Sequence, residues 1–126
     1  MTDSVDRLYD AVVAARGSDP AKSRTARLFR AGRAKMAKKL AEEAVEVVID
    51  AMHGQPEAVV RESADLLYNL VVLWVHAGVH PDEVWAEMRR RETMFGIAEK
   101  VPKDMVHGPS RRKVVALETR RARKRR

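Results

Sequence analysis

The sequence contains no cysteine, few aromatic residues and no long apolar run. Without cysteine, the chain cannot use disulfides, Cys-ligated zinc, iron–sulfur clusters or thiol catalysis. Its most apolar window, Leu66 to Val75, is interrupted by Tyr68 and Asn69 and falls far short of the roughly 20 residues that cross a bilayer. No N-terminal apolar run resembles a signal peptide. We therefore expect a cytoplasmic protein with no membrane partner.

Signals for β-structure are also missing. The sequence has no alternating strand pattern, no internal repeat and no glycine-rich phosphate loop. Aromatic residues make up only 5% of the chain, whereas Ala, Leu, Glu, Lys, Arg and Met dominate residues 1–99. These residue types favour helices. We predict an all-α bundle of about four helices.

The formal net charge of +7 is unevenly distributed. Residues 111–126 contain nine basic residues and one acidic residue, which leaves 16 basic and 17 acidic residues in 1–110. The segment 99–110 contains two prolines and a glycine, as linkers do. We predict an all-α domain over 1–98, a linker over 99–110 and a basic tail over 111–126. The tail is a candidate for binding nucleic acid, although it has no aromatic residue to stack on bases.

Capping residues and apolar spacing predict where the helices begin and end. The predicted helices run from Asp3 or Ser4 to Arg16, from Arg33 to about His53, from about Pro56 to Ala77, and from Pro81 to about Ile97. Ser23 is expected to cap a short turn that Gly32 closes. The third helix is apolar on nearly every side from Leu66 onward, which in a small chain predicts a dimer interface.

Two pairs of carboxylates lie on neighbouring predicted helices. Glu43 and Glu46 are three residues apart on one helix, and Glu62 and Asp65 are three residues apart on the next. Each pair therefore occupies one helical face. An antiparallel hairpin that turns near Gly54 would bring the two pairs to the same level.

Four clustered carboxylates repel one another unless a cation neutralises them. Oxygen ligands favour Mg²⁺ or Mn²⁺ over zinc, and Mg²⁺ shares its coordination shell with substrate phosphates. Such a site supports attack of a metal-polarised water on a phosphoanhydride. The alternative is an ordinary solvated face on which these acids pair with neighbouring cations. The candidate cations are Lys38, Lys39 and Arg61.

Two stretches, SRTARLFRAGRAKMAKKLAEEAVEVVIDA and ESADLLYNLVVLWVHAGVHPDEVWAEMRRR, resemble the phosphoribosyl-ATP pyrophosphohydrolase family. More broadly they resemble the MazG-like all-α nucleotide pyrophosphohydrolases, which carry E-x-x-E and E-x-x-D on neighbouring helices. The resemblance covers roughly residues 5–98. It implies Mg²⁺-dependent hydrolysis of phosphoribosyl-ATP to phosphoribosyl-AMP and pyrophosphate, the second step of histidine biosynthesis. It also implies a homodimer or a dimer of dimers.

The same resemblance implies roles for individual residues. The acids that match the family's metal ligands are Glu43, Glu46, Glu62 and Asp65. Glu42 matches an extra acid that orients or deprotonates the attacking water, so Glu42 and Glu43 are the candidate catalytic residues. The candidate contacts to substrate phosphates are Lys39, Lys35, Arg33, Thr25 and Ser23. Asn69 stands where the family commonly has His, which excludes a titratable imidazole at that position.

Two other functions stay open at the level of sequence. The first is a house-cleaning pyrophosphohydrolase of the same superfamily that acts on canonical or modified nucleoside triphosphates. The second is a non-catalytic helical dimer that binds nucleic acid through residues 111–126.

Overall fold

The computed structural model describes residues 3–95, which contain five α-helices and no strand in that range. The helices are α1 (Ser4–Arg16), α2 (Arg24–Ala31), α3 (Arg33–Met52), α4 (Pro56–Ala77) and α5 (Pro81–Phe95). The prediction of an all-α, MazG-like fold is confirmed. Residues 96–98, the predicted linker 99–110 and the predicted basic tail 111–126 lie outside the described residues, so the division into three parts stays a prediction.

Local sequence signals account for several helix ends. The Asp3 carboxylate accepts a hydrogen bond from the backbone N–H of Asp6 at 2.8 Å, and α1 begins directly after it. The Ser23 hydroxyl accepts from the backbone N–H of Ala26 at 3.1 Å and caps α2 in the same way. At its C-terminus, α4 ends at Gly78, whose φ of 78° lies in the left-handed region.

The segment expected to be a short turn is a full helix of eight residues, α2, so the described residues contain five helices rather than four. Gly32 closes α2 as predicted and directly precedes the first residue of α3. Its φ of 104° is strained for any residue with a Cβ, and this conformation lets the chain change direction without a loop. The cations of α2 therefore lie beside the first turns of α3.

One apolar core is shared by the first four helices. Its buried members come from α1, α2, α3 and α4: Val12, Leu28, Met36, Val71, Val72 and Val75. A three-residue turn over 53–55 joins α3 to α4, and these two helices pack against each other as a hairpin. The core fixes the hairpin, and the hairpin in turn fixes which residues of α3 and α4 face each other.

The hairpin also carries apolar side chains that the protomer leaves in solvent. Six of these, called the apolar face below, are more than 45% exposed: Val45, Val48, Ile49 and Met52 on α3, and Val60 and Leu67 on α4. The sequence placed the expected dimer interface on α4, but Val71, Val72 and Val75 of that helix are buried within the protomer. Most of the apolar face therefore belongs to α3, and dimerisation stays a prediction.

The chain divides into two units, residues 1–85 and residues 86–126. In the first unit, Trp85 meets Trp74 edge to face, with ring centroids 6.2 Å apart. In the described part of the second unit, the Glu87 carboxylate accepts hydrogen bonds from the guanidinium groups of Arg90 and Arg91. No helix within residues 3–95 has the length and apolar character needed to cross a membrane.

Candidate metal centre

Three of the four acids proposed as metal ligands converge on one point of the hairpin. Glu43 projects from α3, and Glu62 and Asp65 project from α4. One carboxylate oxygen from each lies within 4.8 Å of those from the other two. All three residues are partly buried, so the packing of α3 on α4 restricts their side chains.

Glu46, the fourth proposed ligand, does not join this group in the described part of the chain. It is exposed, one turn further along α3 than Glu43. Its charge nevertheless acts on the cluster, because it contributes to raising the pKa of Glu62. The spacing therefore predicts correctly that Glu46 lies close to the other three acids, whereas its role as a metal ligand stays a prediction.

The electrostatics of the cluster favour a bound cation. A hydrogen bond to the Glu43 carboxyl group raises the pKa of Glu62 above its ordinary value, and partial burial adds to this effect. The negative charges of Glu46, Glu43 and Asp65 raise it further. Because these like charges lie close together, the fully ionised cluster is disfavoured in the absence of positive charge.

The donor set fits a hard divalent cation. Every ligand atom is a carboxylate oxygen, the donor type that Mg²⁺, Mn²⁺ and Ca²⁺ prefer and that does not select zinc. The group contains no histidine or cysteine. A divalent ion would neutralise the carboxylate charges that contribute to raising the pKa of Glu62.

The alternative of an ordinary solvated salt-bridge face has little support in the structure. Across residues 3–95, neither Lys38, Lys39 nor Arg61 has a carboxylate oxygen within 4.0 Å of its charged nitrogens. The arginine–carboxylate ion pairs seen in this region join Glu87 to Arg90 and Arg91. The clustered acids are therefore not neutralised by the nearby cations that the sequence offers.

An open cavity of about 620 Å³ runs along α3 beside the cluster. Its lining residues are Lys38, Lys39, Ala41, Glu42, Glu43, Val45, Glu46 and Ile49. The two candidate catalytic residues, Glu42 and Glu43, thus line one cavity, and Glu42 is exposed to solvent there. This arrangement gives a water molecule access to both carboxylates.

A second, smaller cavity of about 300 Å³ is rich in positive charge. It contains Lys35 and Lys39, two of the predicted phosphate contacts, together with Arg24 and Arg27 from α2. Lys39 lines both cavities. Arg24 and Arg27 were not predicted from the sequence as phosphate contacts. Their i,i+3 spacing places both on one face of α2, and the i,i+4 spacing of Lys35 and Lys39 does the same on α3, so each pair could have been recognised as a cluster of charge.

The other predicted phosphate contacts have structural roles of their own. The Ser23 hydroxyl caps α2, and the Thr25 hydroxyl forms a 2.6 Å hydrogen bond with the Tyr68 hydroxyl of α4. Arg33 is the exposed first residue of α3 and is absent from the lining of both cavities. A contact of Ser23, Thr25 or Arg33 with phosphate stays a prediction.

Asn69 lies one helical turn beyond Asp65 and is only 1% exposed. Its side-chain amide donates a hydrogen bond to the Asp65 carbonyl oxygen at 2.9 Å. Its side-chain oxygen has no hydrogen-bond partner within the described region. Asn69 is therefore a buried residue of α4 that lines neither cavity.

A family model described as "Phosphoribosyl-ATP pyrophosphohydrolase" matches residues 5–92 of the chain, a range that includes both cavities and the acidic cluster. The chain belongs to the phosphoribosyl-ATP pyrophosphohydrolase family. Family membership and the convergent carboxylates together indicate a divalent metal at this site.

Curated relatives in this family are similar over different lengths. "Phosphoribosyl-ATP pyrophosphatase 2" of Rhodopseudomonas palustris is 65% identical and aligns over 100% of both chains. A protein of the same name from Bradyrhizobium diazoefficiens is 65% identical over 99% of each chain. "Phosphoribosyl-ATP pyrophosphatase" of Gluconobacter oxydans is 53% identical over 76% of this chain and 72% of its own. The segment beyond the family match therefore has a counterpart in the first two relatives.

Proposed function

We propose that this chain is an enzyme that hydrolyses phosphoribosyl-ATP to phosphoribosyl-AMP and pyrophosphate, the second step of histidine biosynthesis. The observation that carries the proposal is the convergence of Glu43, Glu62 and Asp65 within 4.8 Å in a member of this family. The names of the relatives from R. palustris and B. diazoefficiens support it. Because a multiply charged phosphate ester does not cross a bilayer unaided, we place the reaction in the cytoplasm.

The proposed ligands of the ion are Glu43, Glu46, Glu62 and Asp65, and the proposed ion is Mg²⁺, with Mn²⁺ as a substitute. When bound, Mg²⁺ polarises the attacking water and neutralises charge on the departing pyrophosphate. These carboxylates would hold the ion, and Glu43 and Glu46 among them line the cavity along α3. Asn69, one turn after Asp65 on α4, donates a hydrogen bond to the Asp65 carbonyl oxygen within the same helix.

Glu42 and Lys39 complete the proposed mechanism. Glu42 accepts a proton from the attacking water while the water oxygen bonds to phosphorus. The bond between phosphorus and the bridging anhydride oxygen breaks, and its electron pair leaves with pyrophosphate. Lys39 is one turn before Glu43 and faces both cavities, so its ammonium group stabilises the negative charge that develops on the phosphates.

A hydrolysis assay tests the proposal. The full chain is incubated with phosphoribosyl-ATP in the presence of Mg²⁺, Mn²⁺ or EDTA, and pyrophosphate and phosphoribosyl-AMP are quantified. We expect both products in equal amounts with either metal and neither with EDTA. Absence of pyrophosphate while an authentic enzyme works in parallel would reject the proposal. Faster turnover of ordinary nucleoside triphosphates would favour the house-cleaning alternative.

We also propose that two copies of the chain associate through the apolar face. Met52 is 80% exposed and Val60 is 69% exposed, and burying such side chains is favourable at roughly 25 cal/mol for each Å² removed from water. Sedimentation of Val48→Glu against Val13→Glu, an exposed position on α1, tests this. We expect monomers only for the Val48 variant. Identical oligomeric states in both variants would contradict the proposal.

A further inference from the structure

The cavity between α2 and α3, called the basic pocket below, combines four cations in about 300 Å³. Arg24 and Arg27 come from α2, and Lys35 and Lys39 come from α3. Gly32 makes this possible, because its positive φ turns the chain directly from one helix into the other. Leu28 also lines the pocket, and because it belongs to the buried core, it connects the pocket to that core.

Within residues 3–95, no carboxylate neutralises these four cations. In the region from residue 3 to residue 95, none of them has a carboxylate oxygen within 4.0 Å of its charged group. Arg27 donates a hydrogen bond to the Pro20 carbonyl oxygen at 2.9 Å, and the Arg24 guanidinium lies 4.7 Å from the centroid of the Tyr68 ring. These contacts hold the two guanidinium groups but leave their charge unbalanced. A pocket of this kind attracts an anion with several oxygens, and phosphate is a typical ligand of paired arginines.

The position of the pocket along α3 separates it from the anhydride that is hydrolysed. At 1.5 Å per residue, Lys39 lies about 6 Å along the helix axis from Glu43, within reach of a phosphate held at the carboxylates. Lys35 lies about 12 Å from Glu43 by the same measure, a full turn further away. Lys35, which shares the pocket with Arg24 and Arg27, is therefore better placed than Lys39 for an anionic group separate from the triphosphate.

We propose that Arg24, Arg27 and Lys35 bind the phosphate of the substrate's phosphoribosyl group, which is remote from the hydrolysed anhydride. The inference rests on the proposed function, because it takes phosphoribosyl-ATP as the substrate. ATP carries the triphosphate but lacks this second phosphate. The basic pocket is thus a specificity determinant that distinguishes phosphoribosyl-ATP from ordinary nucleoside triphosphates.

Binding of two adenine nucleotides to the full chain tests the inference without turnover. Phosphoribosyl-AMP has the remote phosphate and AMP does not, and titration calorimetry gives a dissociation constant for each. For the unchanged chain we expect phosphoribosyl-AMP to bind more tightly. Lys35→Gln or Arg27→Gln should weaken phosphoribosyl-AMP binding about tenfold to a hundredfold, the range for one lost charge-assisted hydrogen bond, and leave AMP binding unchanged.

Arg30→Gln is the matched control, because Arg30 is an exposed cation of α2 outside the pocket lining. It should bind both nucleotides as the unchanged chain does. Equal weakening of both nucleotides by the pocket variants would overturn the inference and assign the pocket to the adenylate part that the two nucleotides share. Equal affinity of the unchanged chain for both nucleotides would also overturn it. Failure of the proposed function is a separate result, namely no pyrophosphate release from phosphoribosyl-ATP by the unchanged chain.

Discussion

The hydrogen bond between the Thr25 and Tyr68 hydroxyls is the clearest link between α2 and the helix that carries Glu62 and Asp65. The two oxygens are 2.6 Å apart and partly buried, and the residues are 43 positions apart in sequence. Tyr68→Phe removes the hydroxyl but keeps the ring on which the Arg24 guanidinium lies. Because the bond is partly buried and short, we expect Tyr68→Phe to lower the free energy of unfolding by about 0.5–1.5 kcal/mol.

A double-mutant cycle isolates this bond from other effects of the substitutions. Urea unfolding of the unchanged chain, Tyr68→Phe, Thr25→Val and the double variant, all at one protein concentration, gives the coupling energy between the two hydroxyls. We expect about 1 kcal/mol, which corresponds to about 4–8 °C in Tm for a domain of this size. A coupling energy close to zero would refute the conclusion that this bond positions α2, and with it the basic pocket, against α4.

Three further predictions concern the core, the acidic cluster and α5. Met36 is 1% exposed, so Met36→Ala should cost about 2–5 kcal/mol in urea unfolding, and a loss below 1 kcal/mol would show that the site is not tightly packed. The pKa of Glu62 is raised in the folded protein, so in EDTA the folded state should lose stability as the pH rises from the ordinary pKa of a glutamate through the raised pKa of Glu62. In thermal melts, Glu62→Gln should remove this loss. A pH profile of Tm that the substitution leaves unchanged would contradict the mutual repulsion of the clustered carboxylates. Arg90 and Arg91 lower the pKa of Glu87 to about 2. The small stabilisation that Glu87 provides, measured against Glu87→Gln, should therefore be complete above about pH 4.5 and lost as the pH falls through about 2. A difference in Tm between the two proteins that is independent of pH would rule out these ion pairs.

Most helix boundaries could be predicted from the sequence because they depend on local chemistry. Asp3 caps α1, and α4 runs from Pro56 to Ala77 as the Pro and Gly signals indicated. The length of α2 was underestimated because Leu28 and Phe29 are its only large apolar side chains, and periodicity alone gives a weak signal over two turns. Its stability comes from the Ser23 cap and from burial of Leu28 in a core shared with distant segments.

The candidate site could be predicted as far as helical geometry determines it. Equal distances from the turn brought Glu43 level with Asp65, and the structure places their carboxylates together with that of Glu62. Whether an exposed side chain such as Glu46 joins a cluster depends on its rotamer, which spacing does not specify. Arg24 and Arg27 were missed for a different reason, since their place beside Lys35 depends on the backbone turn at Gly32.

Metal-dependent pyrophosphate release by Glu62→Gln and by Glu57→Gln tests the central claim most directly. Both are glutamates of α4, but Glu57 is an exposed residue of its first turn and lies outside the acidic cluster. With phosphoribosyl-ATP and Mg²⁺, we predict that Glu57→Gln keeps the rate of the unchanged chain. Glu62→Gln should lose about a hundredfold or more, since changes even behind a metal ligand cost 10–100-fold. Equal rates for the two variants would contradict the account that the cluster of Glu43, Glu62 and Asp65 carries the reaction.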